Sequence, residues 1–247
     1  PSREFLGQKY AIFIARNSIL MTYTTLLFGL PFMGVGAGVL LAHLLVNRQK
    51  VSQALLLAFS GAFLLSVIFF ELLPKLFAAE DFTVGYWVIG GILFQIALEY
   101  FSKGMEHGHT HPSAQNKYPW LLWLSLGLHA FTEGMPLSNY PQLAWGMFVH
   151  KIPITVALFT VLKLQSKNWK SLYLPLAGFA LVTPLGGMLG ARMLLNGTAI
   201  LLPITGMVVG ILLHIATTII FETSEGHRFN AAKFISILLG FLLGSLL

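Results

Sequence analysis

Residues 119–163 read PWLLWLSLGLHAFTEGMPLSNYPQLAWGMFVHKIPITVALFTVLK. Two apolar runs, 119–138 and 142–163, flank a short polar turn that includes Pro141. At ~1.5 Å per residue, each run is long enough as a helix to cross a hydrocarbon core of ~30 Å. The turn is too short for anything but an antiparallel hairpin. Inside that hairpin lie groups that hydrocarbon disfavours: His129 and Glu133 in the first run, His150 and Lys151 in the second.

Working outward, six more apolar spans can be drawn, at 20–46, 53–77, 84–103, 172–195, 199–222 and 230–247. The reading is an all-α, polytopic membrane bundle of eight transmembrane helices, with consecutive helices mostly packed as antiparallel neighbours. Composition agrees. Of the 247 residues 56% are hydrophobic and 10% charged, with mean hydropathy +0.77, whereas a soluble domain carries about 25% charged residues. The net charge of +6 therefore reads as a topology signal, not as a nucleic-acid-binding patch. The expected partners are the lipid bilayer and a metal ion, with no nucleic acid. The whole chain, 1–247, reads as one membrane domain. Residues 1–17 form an interfacial lead-in, and 104–118 a loop containing His107, His109 and His111.

With both termini outside, nine Lys and Arg fall on the inner side and five on the outer. The positive-inside rule favours that orientation, which makes the histidine loop cytoplasmic and suits a plasma (inner) membrane. The chain has no cysteine, so thiolate metal sites and disulfides are excluded. Gly186 and Gly190, Gly206 and Gly210, and Gly240 and Gly244 are GxxxG pairs, which let helix backbones approach closely. They permit a homodimer and equally serve packing within one bundle. Gly34, Gly36 and Gly38 lie within an apolar span with no preceding strand, so they read as packing glycines, not a dinucleotide fingerprint.

An ionisable side chain at membrane depth costs a few kcal/mol and is a functional candidate by default. Glu99 and Glu222 lie near helix ends, where they can face headgroups, as does His43. His129 and Glu133 are four residues apart and share one helix face. His150 lies at a similar distance beyond the turn, so in a hairpin it reaches similar depth. Two imidazoles and a carboxylate suit a divalent transition metal such as zinc, iron, manganese or cobalt. A purely structural His–Glu network joining helices fits the same residues. Pro136 and Pro153 each follow these groups by three residues, and each is expected to disturb the preceding helical turn and free a carbonyl there.

The motifs His129-Ala-Phe-Thr-Glu-Gly134 and His150-Lys-Ile-Pro153 resemble the paired metal-binding motifs of the ZIP (Zrt/Irt-like protein) transporters. Those are of the type H-N-x-P-E-G and H/Q-E/D-x-P-E/H-G. The eight spans, the histidine loop between the third and fourth, and the Glu71-Leu-Leu-Pro74 end of the second are similar to that family too. The resemblance implies a helical bundle that moves zinc or related divalent cations into the cytoplasm. It also implies an elevator-like motion of one helix group against another. His129, Glu133 and His150 match ligands of the family's first metal site. Ala130, Lys151 and Ile154 stand where the family pattern has coordinating groups, so the second site is expected to be absent. The Lys151 ammonium then either takes the place of a second cation or pairs with Glu133 and competes with metal. Glu71 is expected to line the outer entrance, and His214 to approach the core as an accessory group. The divalent ion is substrate, and no organic cofactor is expected. Two other readings stay open: a degenerate, non-transporting relative, and an intramembrane zinc hydrolase. The second lacks H-E-x-x-H and G-x-S-x-G in this sequence, so the chain is not expected to be an enzyme.

Overall fold

A computed structural model describes residues 27–44, 51–78, 81–102, 120–166, 168–195, 200–222 and 231–247. Among these residues the chain is helical and contains no strand. The helices are α1 (Leu27–Leu44), α2 (Val51–Val67, continued by a π-turn at Ile68–Leu72 and a last stretch Leu73–Phe77), α3 (Val84–Ser102), α4 (Trp120–Gly134), α5 (Pro141–Gln165), α6 (Trp169–Leu195), α7 (Leu201–Glu222) and α8 (Ala231–Gly244). Six of them, all but α4 and α8, are long and apolar enough to cross a membrane. The chain is a polytopic helical membrane protein. The lead-in 1–17, the loop 104–118 and its three histidines lie outside the described residues.

Several helix ends follow from single residues. Gly134 ends α4, because Pro136 disfavours helix at the residue before it and cannot donate an N–H. The Pro136 carbonyl instead accepts the N–H groups of Asn139 and Tyr140. Pro136 thus shapes the link between α4 and α5, and the expected kink within the first span is a helix stop. Pro141 opens α5 at its first turn, where a missing N–H costs nothing. Asn168 caps α6: its carboxamide oxygen accepts the Ser171 N–H at 2.9 Å, and the Asn168 N–H reaches back to the Ser171 hydroxyl at 3.3 Å. In α2 the Leu73 N–H bonds the Ile68 carbonyl, five residues back. Pro74 has no N–H to continue the α-helical ladder, so the π-turn absorbs the mismatch beside Glu71.

The tightest packings join helices distant in sequence, not consecutive ones. Gly186 and Gly190 of α6 press on the carbonyls of Phe131 and Met135 at the end of α4. Gly206 and Gly210 of α7 sit against Trp87 and the Val88 carbonyl of α3, while Gly240 and Gly244 of α8 sit against Phe59 and Phe63 of α2. A Cβ at Gly34 of α1 would come within 2.6 Å of the Phe148 carbonyl oxygen of α5. The same atom at Gly38 would come within 2.6 Å of Thr155 Cβ. Gly36, between them, faces open space. Every GxxxG pair read from the sequence is therefore spent on packing inside this bundle.

The close glycine contacts draw two helix groups, α1, α4, α5 and α6 in one and α2, α3, α7 and α8 in the other, while α5 also packs extensively on α2. Polar contacts follow the same division. Trp123 Nε1 donates to the Pro175 carbonyl (α4 to α6, 3.1 Å). The Ser66 hydroxyl donates to the Phe241 carbonyl (α2 to α8, 3.0 Å), and His43 Nε2 lies 2.8 Å from the Tyr173 hydroxyl (α1 to α6). Between the groups, α2 meets α5 through apolar side chains: a Cβ at Gly146 would lie 3.3 Å from Leu64 Cδ1. One hydroxyl, that of Ser125 on α4, crosses to the Leu98 carbonyl of α3 at 3.0 Å. Helix α5 is the most buried of the six long helices. Its first half packs into a core with α2 and α7 (Leu143, Ala144, Met147). Its second half packs into a core with α1, α4 and α6 (Ile154, Leu158, Phe159). His150 and Lys151 lie where one core gives way to the other.

Candidate metal centre

His129, Glu133 and His150 meet deep in the bundle, and all three are fully buried. One ligand atom from each lies within 4.8 Å of the others. The i, i+4 spacing on α4 stacks the first two, and His129 Nε2 lies 2.6 Å from Glu133 Oε1. The His150 ring faces that of His129 edge-on, with centroids 6.2 Å apart and planes at 80°. Pro153, inside α5, leaves the Val149 carbonyl next to His150 without its helical N–H. The His129 Nδ1 atom is buried with no hydrogen-bond partner among the described residues.

This donor set fits a divalent transition metal. Zinc sits ~2.0–2.2 Å from imidazole nitrogen and carboxylate oxygen, which places tetrahedral ligands roughly 3.4 Å apart. Ligand atoms within 4.8 Å of one another draw together by up to about 1.4 Å to reach that spacing. Three protein ligands leave a coordination position for water, as an exchangeable site requires.

Lys151, also fully buried, donates from Nζ to Glu133 Oε2 at 2.6 Å. Of the alternatives for this lysine, the structure therefore shows the ion pair with Glu133. Both carboxylate oxygens are engaged, one by an imidazole and one by an ammonium. Ala130 and Ile154 supply no ligand atom and are buried in the apolar core.

The remaining sequence candidates lie elsewhere. Glu71 pairs with Lys75 one turn on. His214 Nε2 lies 2.7 Å from Glu99 Oε2, joining α7 to α3, so His214 does not enter the cluster and Glu99 has a protein partner. Two residues that shape the site were not site candidates in the sequence. Phe179 of α6 presents its ring to the Lys151 ammonium, 5.0 Å from the centroid. Gly34 of α1 packs against the stem of Lys151. Neither has chemistry of its own, and each is brought in by a helix far away in the chain.

Residues 102–247, more than half of the chain, match the family model described as ZIP zinc transporter. The chain belongs to the ZIP zinc transporter family. No curated protein matches it in a direct sequence comparison. The matched region carries α4 to α8 and with them all three residues of the cluster. Family membership makes the chain a transporter-family membrane protein whose cargo class is zinc or a similar divalent metal.

Proposed function

We propose that the protein carries a divalent transition metal into the cytoplasm through one mid-membrane site built from His129, Glu133 and His150. The observation that carries this reading is the buried convergence of two imidazoles and a carboxylate within a ZIP-family chain. Metal enters from outside past Glu71 and exchanges water for the three side chains. It leaves on the inner side, toward the loop holding His107, His109 and His111. The charge balance of the sequence supports both termini outside. Close glycine packing within each helix group, against an apolar face between α2 and α5, supports movement of α1, α4, α5 and α6 past the other four. The ion travels with the moving group.

Lys151 pairs with Glu133 in the metal-free site and leaves it when metal binds. The same ion pair favours a second reading, in which it locks the site and the protein does not transport. Uptake of radioactive zinc into liposomes holding the full chain separates the two. Saturable uptake that is lost in a folded Glu133→Ala variant supports transport. No uptake of zinc, iron, manganese or cobalt by the wild type refutes transport and leaves the locked reading.

A further inference from the structure

The stem and head of Lys151 are held differently. A Cβ at Gly34 would lie 3.1 Å from Lys151 Cβ, so α1 backs the stem and blocks movement toward itself. Among the described residues, the ammonium meets Glu133 Oε2 at 2.6 Å and the Phe179 ring, 5.0 Å to its centroid. Lys151 and Phe179 are fully buried, so the ammonium depends on protein partners. An ammonium displaced from Glu133 has Phe179 directly at hand.

We propose that Phe179 receives the Lys151 ammonium when a divalent cation takes Glu133, and that the ring thereby sets the protein's affinity for metal. This rests on the reading of His129, Glu133 and His150 as the metal site. A dication on Glu133 repels a neighbouring ammonium strongly where the dielectric is low, and a buried cation left without a partner is costly. An aromatic face attracts a cation within about 6 Å of its centroid, and more strongly when both are desolvated. The ring already stands at 5.0 Å, so rotation at the end of the lysine side chain completes the transfer without backbone motion. In the metal-free pair the ring shares the ammonium with a carboxylate. In the loaded site it holds the ammonium alone, so the ring favours the loaded state. Phe179 lies on α6, in the same helix group as α4 and α5, so the receiver accompanies the site. It is a positioning residue that does not touch the metal.

Zinc binding to the full chain in detergent micelles, followed by titration calorimetry, tests this. Variants are compared after thermal melting shows them folded. Phe179→Leu is expected to weaken binding roughly ten-fold, the range of a desolvated cation–π contact. Phe179→Tyr, which keeps the ring, stays within about three-fold of wild type. In a Lys151→Met background, Phe179→Leu changes affinity by less than about two-fold, because the coupling partner is gone. Should Phe179→Leu fail to fold, Phe179→Met removes the π-face with a longer, more adaptable side chain. Equal losses for the Leu and Tyr variants overturn the proposal, as does an undiminished loss in the Lys151→Met background. Phe179 is then packing alone. Wild-type binding that is absent, or unaffected by Glu133→Gln, refutes the metal-site reading itself and this proposal with it.

Discussion

Replacing Lys151 with methionine separates the two roles of the buried ion pair. Glu133 holds His129 Nε2 at 2.6 Å on one oxygen and Lys151 Nζ at 2.6 Å on the other, and all three side chains are buried. Lys151→Met keeps most of the volume, so the packing change costs less than about 1.5 kcal/mol. Loss of the ammonium leaves a buried carboxylate short of its cation, which costs about 3–5 kcal/mol. The metal-free variant is therefore expected to be less stable than wild type by about 3–6 kcal/mol. Zinc reverses the order of effects. At a hundred times its Kd a ligand adds ~2.7 kcal/mol, and without a competing ammonium the Kd itself falls. Melting followed by tryptophan fluorescence, in chelator and then in excess zinc, reads both. The variant should melt below wild type in chelator and gain more from zinc than wild type does. Unchanged melting in chelator, with a zinc-induced rise no larger than that of wild type, would refute the account of the pair.

Three further expectations follow from the packing and the ligand chemistry. The chain has no cysteine, so engineered cross-links are read without background. A Cβ at Gly146 would lie 3.8 Å from Val67 Cβ across the two helix groups, a separation that suits a disulfide. Oxidised Val67→Cys with Gly146→Cys should stop zinc uptake until reduced, while Gly61→Cys with Ile219→Cys, inside one group at 3.4 Å, should leave uptake intact. Gly186→Leu collides with the Phe131 carbonyl and should destabilise by about 3 kcal/mol. Gly127→Ala on α4, which meets open space, should be neutral or stabilising by up to ~1 kcal/mol on thermal melting. Protons compete with metal for imidazole nitrogen, so zinc affinity should fall by roughly ten-fold or more between pH 7 and pH 5. Flat calorimetric affinity across that range contradicts histidine ligation.

The helices were legible because apolar runs of membrane length leave few alternatives. Apolar residues continue past Gly134, but Pro136 stops α4 there, so backbone chemistry overrides hydropathy. The convergence of His129, Glu133 and His150 was legible because helical periodicity and hairpin symmetry are local rules. The pairing of helices was not. Glycine spacing announces that some backbone comes close, yet nothing in Gly186 or Gly190 names α4 as the partner. The same limit hid Phe179 and Gly34, whose roles exist only once α6 and α1 are brought against α5. His214 looked like an accessory group by depth alone, and its partner Glu99, 115 residues away in sequence, lies beyond any local rule.

In the proposed mechanism two imidazoles and one carboxylate hold the transported ion. X-ray absorption at the zinc edge, on the full chain loaded with one zinc in lipid vesicles, tests it most directly. The account predicts nitrogen and oxygen neighbours at about 2.0–2.2 Å, with the outer-shell scattering of two imidazoles, reduced to one in His150→Ala. A zinc shell without imidazole scattering, or one unchanged by His150→Ala, would contradict it.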